Sequence, residues 1–230
     1  MAKLIIALDY AREQDAFKLL DQLDPAQCAL KVGSEMFTHF GTDFVSELIK
    51  RQYKVFLDLK FHDIPNTVAH ACKAAAELGV WMLNVHASGG LNMMKAAVDS
   101  LLPYGDSKPL LIAVTVLTSM DEEQISEIGV NGTVEQQVSR LARLANQAGL
   151  DGVVCSAHET SQVKNLCGDS FLTVTPGIRL IGDNTDDQSR IMTPEHAARL
   201  GSDFLVVGRS ITRAENPAEI VAAINEVIKI

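Results

Sequence analysis

Short apolar runs alternate with longer stretches of helical periodicity along the whole chain. Eight runs predict strands: Lys3–Leu8, Cys28–Val32, Lys54–Leu59, Val80–Val85, Leu110–Val116, Gly152–Cys155, Leu172–Thr175 and Phe204–Val207. Several are unbroken apolar segments rather than alternating ones, the pattern of parallel strands covered on both faces. Between them, apolar residues recurring every three to four positions predict helices, at Glu13–Leu23, Phe44–Arg51, Thr67–Leu78, Met93–Leu102, Val134–Gln147 and Ala218–Ile228. Ala71, Ala74, Ala75 and Leu78 place small apolar residues at helical spacing. Gly79, Gly149 and Gly201 each follow a helical stretch and precede a strand, where a left-handed C-terminal cap belongs. Asn216-Pro217 opens the last helix with a capping residue and a proline in the first turn.

Eight strands alternating with helices predict an α/β fold, a (β/α)8 TIM barrel forming a single domain over residues 1–230. A doubly wound open sheet is the architectural alternative, but no glycine-rich dinucleotide fingerprint follows the first strand. No linker or low-complexity segment divides the chain.

Composition narrows the function classes. At 47% hydrophobic residues the chain can fill a substantial core, which excludes a disordered protein. Its net charge of −9 argues against nucleic acid or an anionic membrane as partner. A small anionic substrate stays possible, because it needs only a few local cations. Cys28, Cys72, Cys155 and Cys167 form no C-x-x-C pair and read as reduced, mostly buried thiols. The apolar run between Lys3 and Asp9 is too short for a signal peptide, and no run has the length of a membrane span. A cytoplasmic protein is expected.

The densest chemistry lies in Phe56–Thr67. Asp58, Lys60 and Asp63 put two carboxylates and an ammonium into six positions directly after an apolar run. Side chains alternate along a strand, so Asp58 and Lys60 share one face, with Leu57 and Leu59 on the other. Charges at the end of a buried strand need partners. Opposite charges on either side favour the charged form of an ammonium, which makes it a fixed proton donor. A buried structural ion network is the competing reading of the same three residues.

In a (β/α)8 barrel reactive groups gather at the C-terminal ends of the strands. Asp9, Lys31, Asp58 and Lys60 fall at such ends, as do Thr118-Ser119, Pro176–Arg179 and Gly208-Arg209. The seventh and eighth loops read as a phosphate site, with Gly208 allowing close backbone approach and Arg209 and Arg179 gripping from two sides. Surface ion pairing is the alternative for both arginines. The polar stretch Leu180–Met192 reads as a lid, with Gln188 as a candidate contact, or as a plain loop. His86, ending the fourth strand, is a candidate pocket residue or a structural histidine, and His62 points away from Lys60 if the strand continues. Asp9, Asp58 and His86 are the residues that would converge on a metal. Lys31 and Lys60 would repel a cation there, so no metal is expected.

The segment Asp58-Leu59-Lys60-Phe61-His62-Asp63-Ile64-Pro65-Asn66-Thr67 resembles the orotidine 5′-phosphate decarboxylase family. The resemblance runs over essentially the whole chain, through Asp9, Lys31, Thr118, Pro176–Arg179, Gln188 and Gly208-Arg209. The D-x-K-x-x-D core alone is shared by a wider superfamily, whereas the extended segment is much more specific. The resemblance implies conversion of orotidine 5′-monophosphate to UMP and CO2 in pyrimidine synthesis, without metal or organic cofactor. It implies Lys60 as proton donor to C6, and Asp58 beside the substrate carboxylate with Lys31 and Lys60 flanking it. It implies Asp9 and Lys31 on ribose hydroxyls, Thr118 and Ser119 near the base, and Gln188, Arg179, Gly208 and Arg209 on phosphate. Asp63 and Thr67 would reach across a homodimer interface into the partner's site. Two other readings stand beside this one: a sibling enzyme using a metal-stabilised enediolate on a sugar phosphate, and a barrel that binds nucleotides without turning them over.

Overall fold

The computed structural model describes residues 2–180 and 192–229. Eight parallel strands close into a barrel in sequence order, with β8 pairing back onto β1. They are β1 (Lys3–Leu8), β2 (Ala29–Gly33), β3 (Val55–Phe61), β4 (Met82–His86), β5 (Leu110–Val114), β6 (Gly152–Val154), β7 (Leu172–Thr175) and β8 (Phe204–Val207). Each parallel pair needs a crossover, and helices supply it. These include α1 (Glu13–Leu20), α2 (Ser34–Lys50), α3 (Pro65–Glu77), α4 (Leu91–Leu101), α5 (Glu122–Glu127), α6 (Val134–Ala148) and α7 (Ala157–Cys167). They continue with α8 (Pro194–Arg199), α9 (Arg209–Thr212) and α10 (Pro217–Val227).

The unbroken apolar runs reflect two cores on opposite faces of each strand. In β1, Ile5 and Ala7 point into the barrel with Ala29, Phe56, Met82, Val174 and Val206. Leu4, Ile6 and Leu8 point outward to the layer under the helices, with Leu30, Val32 and Leu57. The inward rows matter for the site. Two positions beyond Ala7, Ala29, Phe56, Met82 and Val206 come Asp9, Lys31, Asp58, Asn84 and Gly208. The barrel is thus filled with apolar side chains below and turns polar at its C-terminal mouth.

β3 departs from the regular pattern. It runs on to Phe61 and slips in register against β4: Leu57 faces Leu83 and Phe61 faces Val85, so Asp58, Leu59 and Lys60 oppose Asn84 alone. Lys60 sits at φ +52°, a left-handed backbone inside a strand. Asp58 and Lys60 do end on one side, but the simple alternation expected for them does not describe the backbone that puts them there.

Other boundaries also moved. α2 begins at Ser34, ten positions before the expected start, and bends at Gly41 with φ +63°. The short helices α5 and α8, and the longer α7, fill the expected alternation but have no stretch of their own among the helical patterns read from periodicity. α7 has a local signal, a capping box in which Ser156 and Glu159 satisfy each other's backbone N–H groups. On α3 the buried stripe is Val68, Cys72 and Ala75, and Ala74 lies exposed. Pro217 opens α10 as expected, whereas the Asn216 side chain makes no capping bond. Gly79, Gly149 and Gly201 do take positive φ, and Gly149 is a left-handed cap of α6.

Gly152 in β6 has no room for a side chain. A Cβ there would collide with the carbonyl oxygen of Leu172 and lie 2.7 Å from its carbonyl carbon. Without that clash, Gly→Ala in a strand would stabilise by about 0.4–1 kcal/mol through the unfolded chain. Backbone cannot yield as a flexible side chain does, so the overpacking cost of about 1–3 kcal/mol wins. Gly152→Ala is expected to lower the urea midpoint with an unchanged denaturant slope. An unmoved or raised midpoint would mean that β7 shifts freely to admit the methyl.

Candidate active site

The mouth of the barrel holds a cavity of about 290 Å³. Its floor is the top of the apolar core, including Phe56, Val114, Val174 and Val206. Asp9, Lys31, Asp58 and Lys60 line one side, from β1, β2 and β3. Arg179 and Arg209 line another, from the loop after β7 and the first position of α9, with Thr118 and Ser119 from the loop after β5. Four cations thus face two carboxylates in a chain whose overall charge is −9. Such a local field draws a small anion toward an otherwise acidic protein.

Asp58 is the centre of the charged side. Its Oδ1 lies 2.9 Å from Lys60 Nζ and its Oδ2 lies 3.2 Å from Lys31 Nζ. Lys31 is a looser 3.8 Å from Asp9 Oδ1. A Cβ on Gly33 would come within 3.3 Å of the Lys31 ammonium, so the small residue leaves that ammonium room. Burial pushes the Asp58 carboxyl upward, but Lys31, Lys60 and the hydrogen bonds from Lys60 and Asn84 outweigh it and hold it below the usual carboxylate range. The arrangement inverts one expectation. Within the chain a carboxylate lies between two ammoniums, rather than Lys60 between Asp58 and Asp63.

Asp63 and Thr67 lie exposed beyond β3, outside the cavity lining. Asp63 Oδ1 accepts the Ile64 N–H at 2.6 Å. Arg179 is buried; its Nη1 donates to the Ile178 carbonyl, and its backbone N–H donates to Met192. Gly177 turns the chain there with φ +78°. Gly208 has negative φ, and a Cβ on it would meet only Ala7 at 3.7 Å. Its smallness is therefore not required by the protein's own packing. Gln188 and most of the expected lid lie outside the described residues.

His86 does not line the cavity, which sets aside the pocket reading of this residue and leaves the structural one. It is half-buried against His62, with ring centroids 5.4 Å apart. Burial, together with the nearby His62 and Lys60, holds its imidazole below the usual histidine range. Among the described residues no three His, Cys, Asp or Glu side chains group in a way that could hold a metal ion. Each oxygen of Asp58 already faces an ammonium. No helix of the described residues is long and apolar enough to cross a membrane.

One residue of the site was not singled out from sequence. Asn84, fully buried in β4, donates from Nδ2 to Asp58 Oδ1 at 2.7 Å and accepts the Lys60 backbone N–H on Oδ1 at 2.8 Å. A signal existed: a polar residue in the inward row of Met82-Leu83-Asn84-Val85, where a strand otherwise holds only apolar side chains.

Comparison with known proteins gives a consistent picture. Residues 2–224 match the model of the orotidine 5′-phosphate decarboxylase / HUMPS family. An orotidine 5′-phosphate decarboxylase of Legionella pneumophila is 61% identical over 222 residues, covering 96% of this chain and 97% of that protein. One from Psychromonas ingrahamii is 59% identical over 224 residues, covering 97% and 96%. The crystal structure of orotidine 5′-phosphate decarboxylase from Lactobacillus acidophilus superposes with a TM-score of 0.88 at 40% identity, over the full length of both chains.

The carboxylate between two ammoniums makes a stability expectation. The folded Asp58 ionises more readily than an unfolded aspartate. Its contribution is therefore complete above about pH 4 and is lost as pH falls through the lower folded value. Asp58→Asn is expected to destabilise by about 3 kcal/mol at pH 7, the low end for breaking a buried pair because solvent reaches Lys60. The gap to the parent should narrow in urea titrations at pH 3. A gap of equal size at both pH values would exclude this linkage.

Proposed function

Because this chain belongs to the orotidine 5′-phosphate decarboxylase / HUMPS family, we propose that it is a carboxy-lyase converting orotidine 5′-monophosphate to UMP and CO2 in pyrimidine synthesis. The observation that carries this reading is Asp58 held between Lys31 and Lys60 at one side of a cavity whose other side bears Arg179 and Arg209. The charged trio suits a reacting carboxylate, and the arginines suit a phosphate.

The difficulty of the reaction explains what the residues do. Breaking the bond from C6 to the carboxylate leaves its electron pair on C6, where no adjacent carbonyl can delocalise it. The Lys60 ammonium stabilises that developing charge and then gives C6 its proton, leaving a neutral amine that regains a proton from solvent. Asp58 lies beside the substrate carboxylate. Two like charges ~4 Å apart at an effective dielectric of ~20 repel by about 4 kcal/mol, and this term vanishes as neutral CO2 departs. That is only part of a large barrier, and the preorganised charges supply the rest.

Lys31 and Asp9 hold the ribose hydroxyls, Thr118 and Ser119 flank the base, and Gln188, Arg179, Gly208 and Arg209 bind the phosphate. Binding energy gathered at the phosphate serves to order the charged array. No metal or organic cofactor takes part. Two copies pair, with Asp63 and Thr67 of each entering the other's site. Ile64, 66% exposed between them, is the apolar side chain such a contact would cover. The protein acts in the cytoplasm.

Chelator-treated protein should convert orotidine 5′-monophosphate to UMP at full rate. Lys60→Ala should lower kcat by at least the ~10²–10⁴-fold expected of a lost general acid, with UMP binding much less affected. Activity that disappears with chelator and returns with magnesium would overturn the reading, as would a Lys60→Ala protein that keeps its kcat. A further expectation concerns the shared site. Mixing inactive Lys60→Ala with inactive Asp63→Asn subunits should restore activity, since a mixed dimer contains one intact site. No recovery after demonstrated subunit exchange would remove Asp63 from the partner's site.

A further inference from the structure

In a strand the backbone N–H groups are satisfied by the neighbouring strand. The slip in β3 breaks that pattern, because three of its residues, Asp58, Leu59 and Lys60, oppose Asn84 alone on β4. A buried backbone donor left there needs another partner. The Lys60 N–H finds it on the Asn84 side chain at 2.8 Å. The same amide donates to Asp58 Oδ1 at 2.7 Å, and that oxygen also faces Lys60 Nζ at 2.9 Å. A closed loop of contacts results, from the Lys60 backbone through Asn84 and Asp58 to the Lys60 side chain.

Lys60 adopts φ +52° at this point. A lysine gains nothing local from a left-handed backbone, and such strain persists only where the surroundings impose the conformation. Asn84 is fully buried, on the wall behind the charged trio, and does not itself line the cavity.

We propose that Asn84 is a positioning residue: its amide holds the Lys60 backbone in the left-handed conformation and orients Asp58, so that the Lys60 ammonium is fixed at both ends of its side chain. The role needs an acceptor and a donor on one short planar group, which a carboxamide offers without titrating. An aspartate could accept from Lys60 but would confront Asp58 with a second carboxylate. An alanine would release Lys60 to relax toward ordinary strand geometry and carry its ammonium away. The catalytic part of this inference rests on the decarboxylase reading; the conformational part does not.

Both parts are tested with Asn84→Ala and the isosteric Asn84→Asp. Crystal structures read the conformation directly: Lys60 is expected to leave positive φ in Asn84→Ala and to keep it in Asn84→Asp. If Lys60 stays at positive φ in Asn84→Ala, Asn84 is not what holds it and the inference fails. In turnover, Asn84→Ala is expected to lower kcat on the order of 10²-fold, the effect of a misplacement of about 1 Å, with KM and UMP affinity little changed. Asp58 faces Lys31 from β2, Lys60 from its own strand and, more distantly, His86 from β4, while Asp9, just past β1, faces Lys31 on its other side. A second carboxylate at position 84 should therefore move the acid limb of kcat to higher pH. Parental kcat and acid limb in both variants would overturn the role, as would equal losses of kcat and UMP affinity. A parent protein that does not turn over orotidine 5′-monophosphate sinks the decarboxylase reading instead, and leaves the Lys60 conformation to decide the rest.

Discussion

The site depends on one carboxylate shared by two ammoniums. Asp58 is almost wholly buried, and an isolated buried carboxylate would cost several kcal/mol and would protonate instead. It stays ionised because Lys60 and Lys31 each face one of its oxygens and Asn84 adds a hydrogen bond. The barrel's register makes this possible. Gly33 on β2 stands opposite Asp58 on β3, which brings Lys31, two positions back and on the same inward row, within reach of Asp58. A slip of one residue in that pairing would turn the inward row to the outer face and dissolve the trio.

The rest of the barrel supports this cluster in two ways. Below it, the packed inward side chains give a dry floor of low polarity, where charge interactions are stronger than in water. Beside it, the irregular end of β3 aims Lys60 in a way that a regular strand would not. The strain at Lys60 is local, while the parallel pairings of β3 with β2 and with the first half of β4 remain regular. Strain of this kind survives only where a well-packed frame holds it.

Much of this was legible in the sequence, for physical reasons. A parallel strand buried on both faces must be apolar throughout, so the eight strands announced themselves, and polar residues at their ends stood out against that background. Asp9, Lys31, Asp58, Lys60, Thr118, Ser119, Arg179, Gly208 and Arg209 all line the cavity. Three kinds of feature were not legible. The slip in β3 depends on its partner strand, and alternation within one strand carries no trace of it. α7 has a weakly one-sided pattern, with Glu159 and Thr160 buried beside Ala157 and Val163, so periodicity missed it although its capping box was in plain view. Asn84 shows in sequence only as a polar residue within a strand, because its importance comes from two partners 26 and 24 residues away.

Asp63 and Thr67 mark a different boundary. They share the motif with Asp58 and Lys60, but the motif spans the end of a strand, a turn and the start of α3. The regular part of β3 puts Asp58 at the barrel mouth, and its slipped, left-handed end turns Lys60 to the same side. The turn carries the others out to solvent, with Ile64 exposed between them. Spacing in sequence therefore could not make one ion cluster of all three charges within a single chain. On the decarboxylase reading a second subunit resolves this, since a carboxylate brought from outside need not be accommodated by the barrel's own register. On that proposal the fold itself has to bury only one carboxylate between its two ammoniums, and the second would come from the partner.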